Sequence, residues 1–215
     1  VLIRMDMDDF QIPGVEGWGF SPAENVWIDL SDIENPTGLT AAIPEGYVHP
    51  ALEDSNMGKT WKGFFMEAVS IKAPAYLQGP DHNRLTFAVR NLFIDHTGIS
   101  FKLNAENILR WDGSGDMNGW AASLDTIFLH IVQNNFRSFG FNGKLGLPIA
   151  ESTQYLKYEA ALVHDEGNFN LVVSVRPAAN LNIPISMASA VIERGSYVEL
   201  SLGHDSYIEA NLCAL

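Results

Sequence analysis

Asp112-Gly113-Ser114-Gly115-Asp116-Met117-Asn118-Gly119, bracketed by Trp111 and Trp120, is the densest group of potential ligands in the chain. Side-chain oxygens at Asp112, Ser114, Asp116 and Asn118 alternate with other residues. That pattern lets a curling loop converge hard donors on calcium. It is not an EF-hand, because Met117 stands where the sixth-position glycine belongs, no glutamate fills the twelfth position, and no helix flanks the loop. A solvated turn uses the same residue types. Trp111 and Trp120 beside Asp112 and Asn118 also compose a sugar site, in which a ring covers the apolar face of a pyranose and polar groups hold its hydroxyls. Trp18, Trp27 and Trp61 extend such a platform if exposed, and are core if buried.

Other groups are less selective. Asp and His are adjacent at 81–82, 95–96, 164–165 and 204–205. Neighbours on a strand face opposite ways, and all four pairs fall at turns, so turn chemistry accounts for them. His130 sits inside a strand without a ligand residue two positions away. Glycoside hydrolysis needs two facing carboxylates; Asp6, Asp8, Asp9, Glu67, Glu106, Glu159, Glu193 and Glu199 are available, and nothing selects a pair. Gly-x-Ser-x-Gly, His-Glu-x-x-His and phosphate-binding glycine loops are all missing from the sequence. No catalytic residue is assigned.

The elements that must position these residues read as strands. Residues 1–60 are loop-rich, punctuated by Pro13, Pro22, Pro36, Pro44 and Pro50, with short strands expected at 1–9 and 26–31. Asp32 to Lys59 has no period. A connection of about 28 residues is either a functional loop or a segment laid over the core. From Trp61 the alternation is regular. Hairpins centre near 96, 134 and 166, and a closing meander runs from Ile185 to Cys213 with turns at 194–196 and 203–206. Each hairpin's return strand carries an early aromatic, Phe101, Phe139 or Phe169, through internal repetition or merely through repeated strand length. Helical spacing is never sustained; Ala105–Arg110 offers one turn at most. The expected fold is all-β, an antiparallel β-sandwich or elongated β-meander of about ten to twelve strands forming one domain over 1–215.

Composition narrows the function. The chain has 215 residues with 26 acidic and 13 basic side chains, a net charge of −13. Nucleic acid and anionic membrane surfaces require the opposite balance. No window reaches the roughly 18 uncharged apolar residues of a spanning helix, so membrane insertion is not expected. One cysteine, Cys213, cannot form an internal disulfide and reads as a small buried hydrophobe. No signal peptide is visible, and strand-like alternation at both ends reads as a piece excised from a longer polypeptide.

Asp29-Leu30-Ser31-Asp32, Trp61-Lys62-Gly63-Phe64-Phe65, Gly140-Phe141-Asn142-Gly143-Lys144 and Ser196-Tyr197-Val198-Glu199-Leu200 resemble segments of very large β-rich bacterial proteins found in secreted, surface or contractile-injection contexts. The resemblance spans residues 25–215. It implies a long repetitive β-scaffold and carries over no catalytic residue. The expected function is therefore a structural or adhesive β-domain of a larger secreted or particle-associated protein, outside the cell or on its surface, with neighbouring β-domains as partners. The alternatives are a calcium-assisted carbohydrate-binding module and a glycan-active enzyme.

Overall fold

A computed structural model describes the chain apart from residues 24, 50–60, 79–82, 110, 112–119, 150–153, 166–167, 186–187, 205 and 215, and the side chains of 163–165. Fourteen strands and one helical turn make up the described elements. These are β1 (Leu2–Met5), β2 (Gly19–Pro22), β3 (Val26–Asp29), α1 (Leu39–Ala42), β4 (Gly63–Lys72), β5 (Thr86–Asp95), β6 (Gly98–Leu109) and β7 (Leu124–Val132). Then follow β8 (Asn135–Gly146), β9 (Tyr155–Asp165), β10 (Asn168–Pro177), β11 (Leu181–Ile185), β12 (Ala188–Ile192), β13 (Tyr197–Leu202) and β14 (Tyr207–Asn211). Among the described residues the pairing order β1-β3-β4-β5-β6-β7-β8-β9-β10-β13-β14, with β2 on β4, makes a sheet of twelve strands. The all-β, antiparallel expectation holds.

Local chemistry accounts for the reversals. Gln133 and Asn134, at φ 51° and 62°, form a two-residue turn of the kind whose twist suits a hairpin. Gly98, at φ 128°, opens β6 after the His96-Thr97 turn. Two details depart from the alternation. Residues 105–109 are strand, and the helical turn lies instead in the aperiodic stretch, at α1. The closing segment is also not a simple meander: β11 and β12 form their own two-stranded sheet, so β13 pairs with β10. Cys213 is half-buried rather than buried, and its carbonyl accepts a hydrogen bond from Ser196 Oγ at 3.1 Å.

The described residues fall into two compact units. The first comprises Val1–Gln78, His82–Ala105 and Leu129–Arg137. Apolar side chains pack on both faces of its strands. On one face Leu39 and Ala42 of α1 pack with Trp61, Phe65 and Phe93, bordered by Trp27 and Ile43. This described part of the 32–59 stretch is therefore laid over the core. On the other face Val26, Met66, Val69 and Val89 pack with Met5, Phe20 and Phe101. Strict alternation would put Phe64 and Val69 on opposite faces, yet both line the same apolar hollow. An irregularity between Arg90 and Phe93, with Asn91 at φ 53°, accompanies this change of face.

The second unit comprises Glu106–Phe128 and Ser138–Leu215. Register makes its sheet two-faced. Phe139, Leu162, Leu171 and Leu202 form one cross-strand row. Phe141, Ala160, Val173, Leu200 and Ile208 form the next. The opposite face carries Asn142, Glu159, Ser174, Glu199 and Glu209 in one row, and Lys144, Lys157 and Arg176 in another. Gly143 is required where Tyr158 crosses: a Cβ there would overlap the Tyr158 hydroxyl, which donates to Ser123 O at 2.6 Å.

Candidate functional site

The sequence-derived candidates meet different fates. Asp112, Ser114, Asp116 and Asn118 lie outside the described residues. Trp111 packs on Tyr155, with ring centroids 5.4 Å apart and planes tilted by 50°. The same indole lies against Gly146, where a Cβ would come within 2.8 Å of it. Trp120 is 38% exposed. In the first unit Trp61 is fully buried, Trp27 borders the core, and Trp18 leans on Phe87 at 6.1 Å. Trp61 is therefore core and offers no face to a sugar. Among the described residues, no three or more His, Cys, Asp or Glu side chains are grouped as a metal site.

One Asp–His pair has a definite role. Asp95, at the end of β5, accepts on Oδ2 from the Tyr47 hydroxyl and from Trp61 Nε1 at 3.0 Å. On Oδ1 it accepts from the Thr97 amide and hydroxyl, both at 2.6 Å. Burial alone would raise the Asp95 carboxyl, but the hydrogen bonds from Thr97, Tyr47 and Trp61 outweigh it and hold the group below its ordinary value. Tyr47 is raised, by burial first and then by its bond to Asp95. Gln133 extends the network. Its Nε2 donates to Val48 O at 2.6 Å and to Thr97 Oγ1 at 2.8 Å, while its Oε1 accepts from the Val48 amide. A carboxylate with four donors has little capacity left for acid–base work. It pins the 44–49 segment to two hairpin turns. His96 meets His49 edge-on at 4.9 Å, and burial lowers His49 below its ordinary value.

Asp29, in the Asp29-Leu30-Ser31-Asp32 motif, is likewise structural. Its Oδ1 accepts from the Ser31 amide at 2.7 Å, and Ser31 Oγ accepts from the amides of Ile33 and Glu34. The motif is a pair of nested side-chain turns. Burial raises the Asp29 carboxyl.

The arrangement best suited to a ligand is one that sequence spacing does not reveal. On the polar face of the second unit, Lys144 of β8, Lys157 of β9 and Arg176 of β10 are direct register partners. They border a groove of about 490 Å³, joined by Arg194, Asp125 and Glu159. Tyr155 also lines it, so the Trp111–Tyr155 pair stands at its margin. Lys144 Nζ is 3.6 Å from Asp125 Oδ2 and 5.6 Å from the Tyr155 ring centroid. Among the described residues, Lys157, Arg176 and Arg194 form no ion pair within 4.0 Å. Of the carboxylates weighed from the sequence, Glu159 faces this groove, Glu67 accepts from Asn25, and Glu199 accepts from the Tyr207 hydroxyl at 2.6 Å.

Compared with protein-family models, curated proteins and solved structures, the chain matches none.

The Asp95 network makes a pH-dependent prediction. A carboxyl held below its ordinary value supplies stability that is present at neutral pH and lost as pH falls through the folded-state value. Asp95→Asn should cost about 1–3 kcal/mol at pH 7. Its urea midpoint should then vary less than that of wild type between neutral and acid pH. Parallel midpoint curves for the two proteins would show that Asp95 contributes no charge-dependent stability.

Proposed function

We propose that the chain is a structural or adhesive β-domain of a larger secreted or particle-associated bacterial protein, and that it works by packing one sheet face against a neighbouring β-domain. The observation carrying this reading is the apolar face of the second unit. Phe169, Val198, Leu202 and Ile208 lie on that face and are between 46% and 74% exposed. The β11–β12 hairpin brings Leu181 and Ile192 to a hollow of about 340 Å³ beside Leu156, Val175 and Val198. Among the described residues, coverage beyond that hollow is incomplete. A continuous apolar patch on a sheet is unusual on a free monomer and marks a contact surface. Its occupant must be apolar and extended, because the paired rows carry no charged side chain. A second sheet stacked at about 10 Å meets both needs.

The second reading, a calcium-assisted carbohydrate-binding module, is favoured by the Trp111–Tyr155 ring pair beside a polar groove. In that reading Asp112, Ser114, Asp116 and Asn118 would hold the cation, with Trp111 and Trp120 flanking it. The third, a glycan-active enzyme, gains no observation.

Two measurements separate these readings. Wild type should bind an apolar dye and self-associate with rising concentration in light scattering. Ile208→Lys should weaken both while moving the melting temperature by no more than about 2 °C, as befits a surface site. A wild type that stays monomeric and dye-silent would overturn the first reading. So would unfolding by Ile208→Lys, which would make the face core. For the second reading, millimolar calcium should raise the melting temperature above its value in EDTA by about 5–11 °C, the rise expected at 100 times the dissociation constant. Asp116→Ala should abolish that rise. An unchanged melting temperature would remove calcium.

A further inference from the structure

The cation row on β8–β10 is placed against its own stability. Side chains directly opposite on adjacent strands interact most strongly, and like charges there repel. Lys144 faces Lys157, and Lys157 faces Arg176. This happens in a chain with only 13 basic residues against 26 acidic ones. Asp125 and the Tyr155 ring engage Lys144 alone. Arg194 adds a fourth cation to the groove, against the two carboxylates Asp125 and Glu159. The groove is therefore a local positive site on an acidic protein.

We propose that this groove binds a short acidic saccharide, with a carboxylate seated on Lys157, Arg176 and Arg194. The proposal deepens the carbohydrate-binding reading and rests on it for the ligand class. Three features select the chemistry. First, a cavity of about 490 Å³ falls in the size range of small-ligand sites. A neighbouring hollow of about 280 Å³ shares Arg176 and Arg194 and continues along Ser174, Tyr197 and Glu199. A few linked sugar units fit such a trough.

Second, the lining mixes cations with acceptors. A bare oxyanion needs donors only, whereas sugar hydroxyls also need acceptors, and Glu159, Asp125 and Asn142 stand among the cations. Tyr155, backed by Trp111, adds an aromatic edge. Third, the net charge of −13 bounds the ligand's size. Within a screening length of about 8 Å the local cations dominate. A long polyanion would extend beyond them onto the acidic surface. An isolated carboxylate on a short, otherwise neutral chain meets only the attractive part.

The test is calorimetric titration with an aldotriouronic acid, a trisaccharide with one glucuronate on xylobiose, the matching neutral xylotriose and inorganic phosphate as separate probes. The uronate should bind, and its affinity should fall as salt rises. Lys157→Gln and Arg176→Gln should each weaken it by about tenfold or more, the range expected for losing a charge-assisted bond. Both variants should melt no lower than wild type, because each relieves repulsion. That combination separates a ligand site from a structural one. Equal affinity for the neutral trisaccharide would overturn the acidic assignment and leave the carbohydrate reading standing. Failure of both saccharides would end both. Phosphate binding as tightly as the uronate would make this a general anion site and overturn the saccharide assignment. If the glutamine variants melt markedly lower, the cation row is structural and the proposal fails.

Discussion

Everything in this chain follows from one constraint: a β-sheet with one apolar face must cover that face. Side chains alternate across the sheet, so cross-strand register turns a linear pattern into two surfaces of opposite character. In the first unit the described part of the loop-rich opening segment provides the cover. Leu39 and Ala42 close one face over Trp61, Phe65 and Phe93, and Met5 and Phe20 border the cluster on the other. The Asp95 network fastens part of that cover: Tyr47, Val48 and Trp61 are tied through Asp95, Thr97 and Gln133 to the ends of two hairpins.

The second unit meets the constraint only in part. Its buried apolar side chains among the described residues are Ala122, Ala160, Pro177 and Leu181, far smaller in volume than the Trp and Phe core of the first unit. The cross-strand pairs are satisfied, but among the described residues the layer that would normally lie on the apolar rows reaches only as far as the β11–β12 hairpin. Along β13 and β14, Tyr207 donates to Glu199 and Tyr197 to Glu209, easing the direct opposition of the two glutamates. These ties hold the last strand in register without burying it. Such a sheet is suited to association, and its polar side is free to present a groove.

Much of the fold was legible because its signals are local. Gln133, Asn134 and Gly98 are turn residues at positive φ, and alternating apolar residues mark the strands on either side. What was not legible depended on non-local pairing. The change of face near Asn91 cannot be read from alternation, because one residue in the left-handed region puts Val89 and Leu92, three positions apart on β5, on a common side. The pairing of β13 with β10 is set by packing rather than chain order. The groove is hidden for the same reason. Lys144, Lys157 and Arg176 are 13 and 19 residues apart, as their numbers give, and only the register of three strands makes them neighbours. Trp61 and Asp95 were visible as residue types. Their roles as core and anchor come from burial and donors contributed by distant segments.

Residue-resolved hydrogen exchange on the native chain tests the central claim most directly. Exchange rates report the free energy of local opening, which follows burial as well as hydrogen bonding. If the apolar face of the second unit is incompletely covered, amides of β13 and β14 should exchange orders of magnitude faster than those around Phe65 and Phe93, although both sets are paired in the sheet. Equal protection in β14 and β4 would mean that the second unit has a complete core of its own, and would contradict the account.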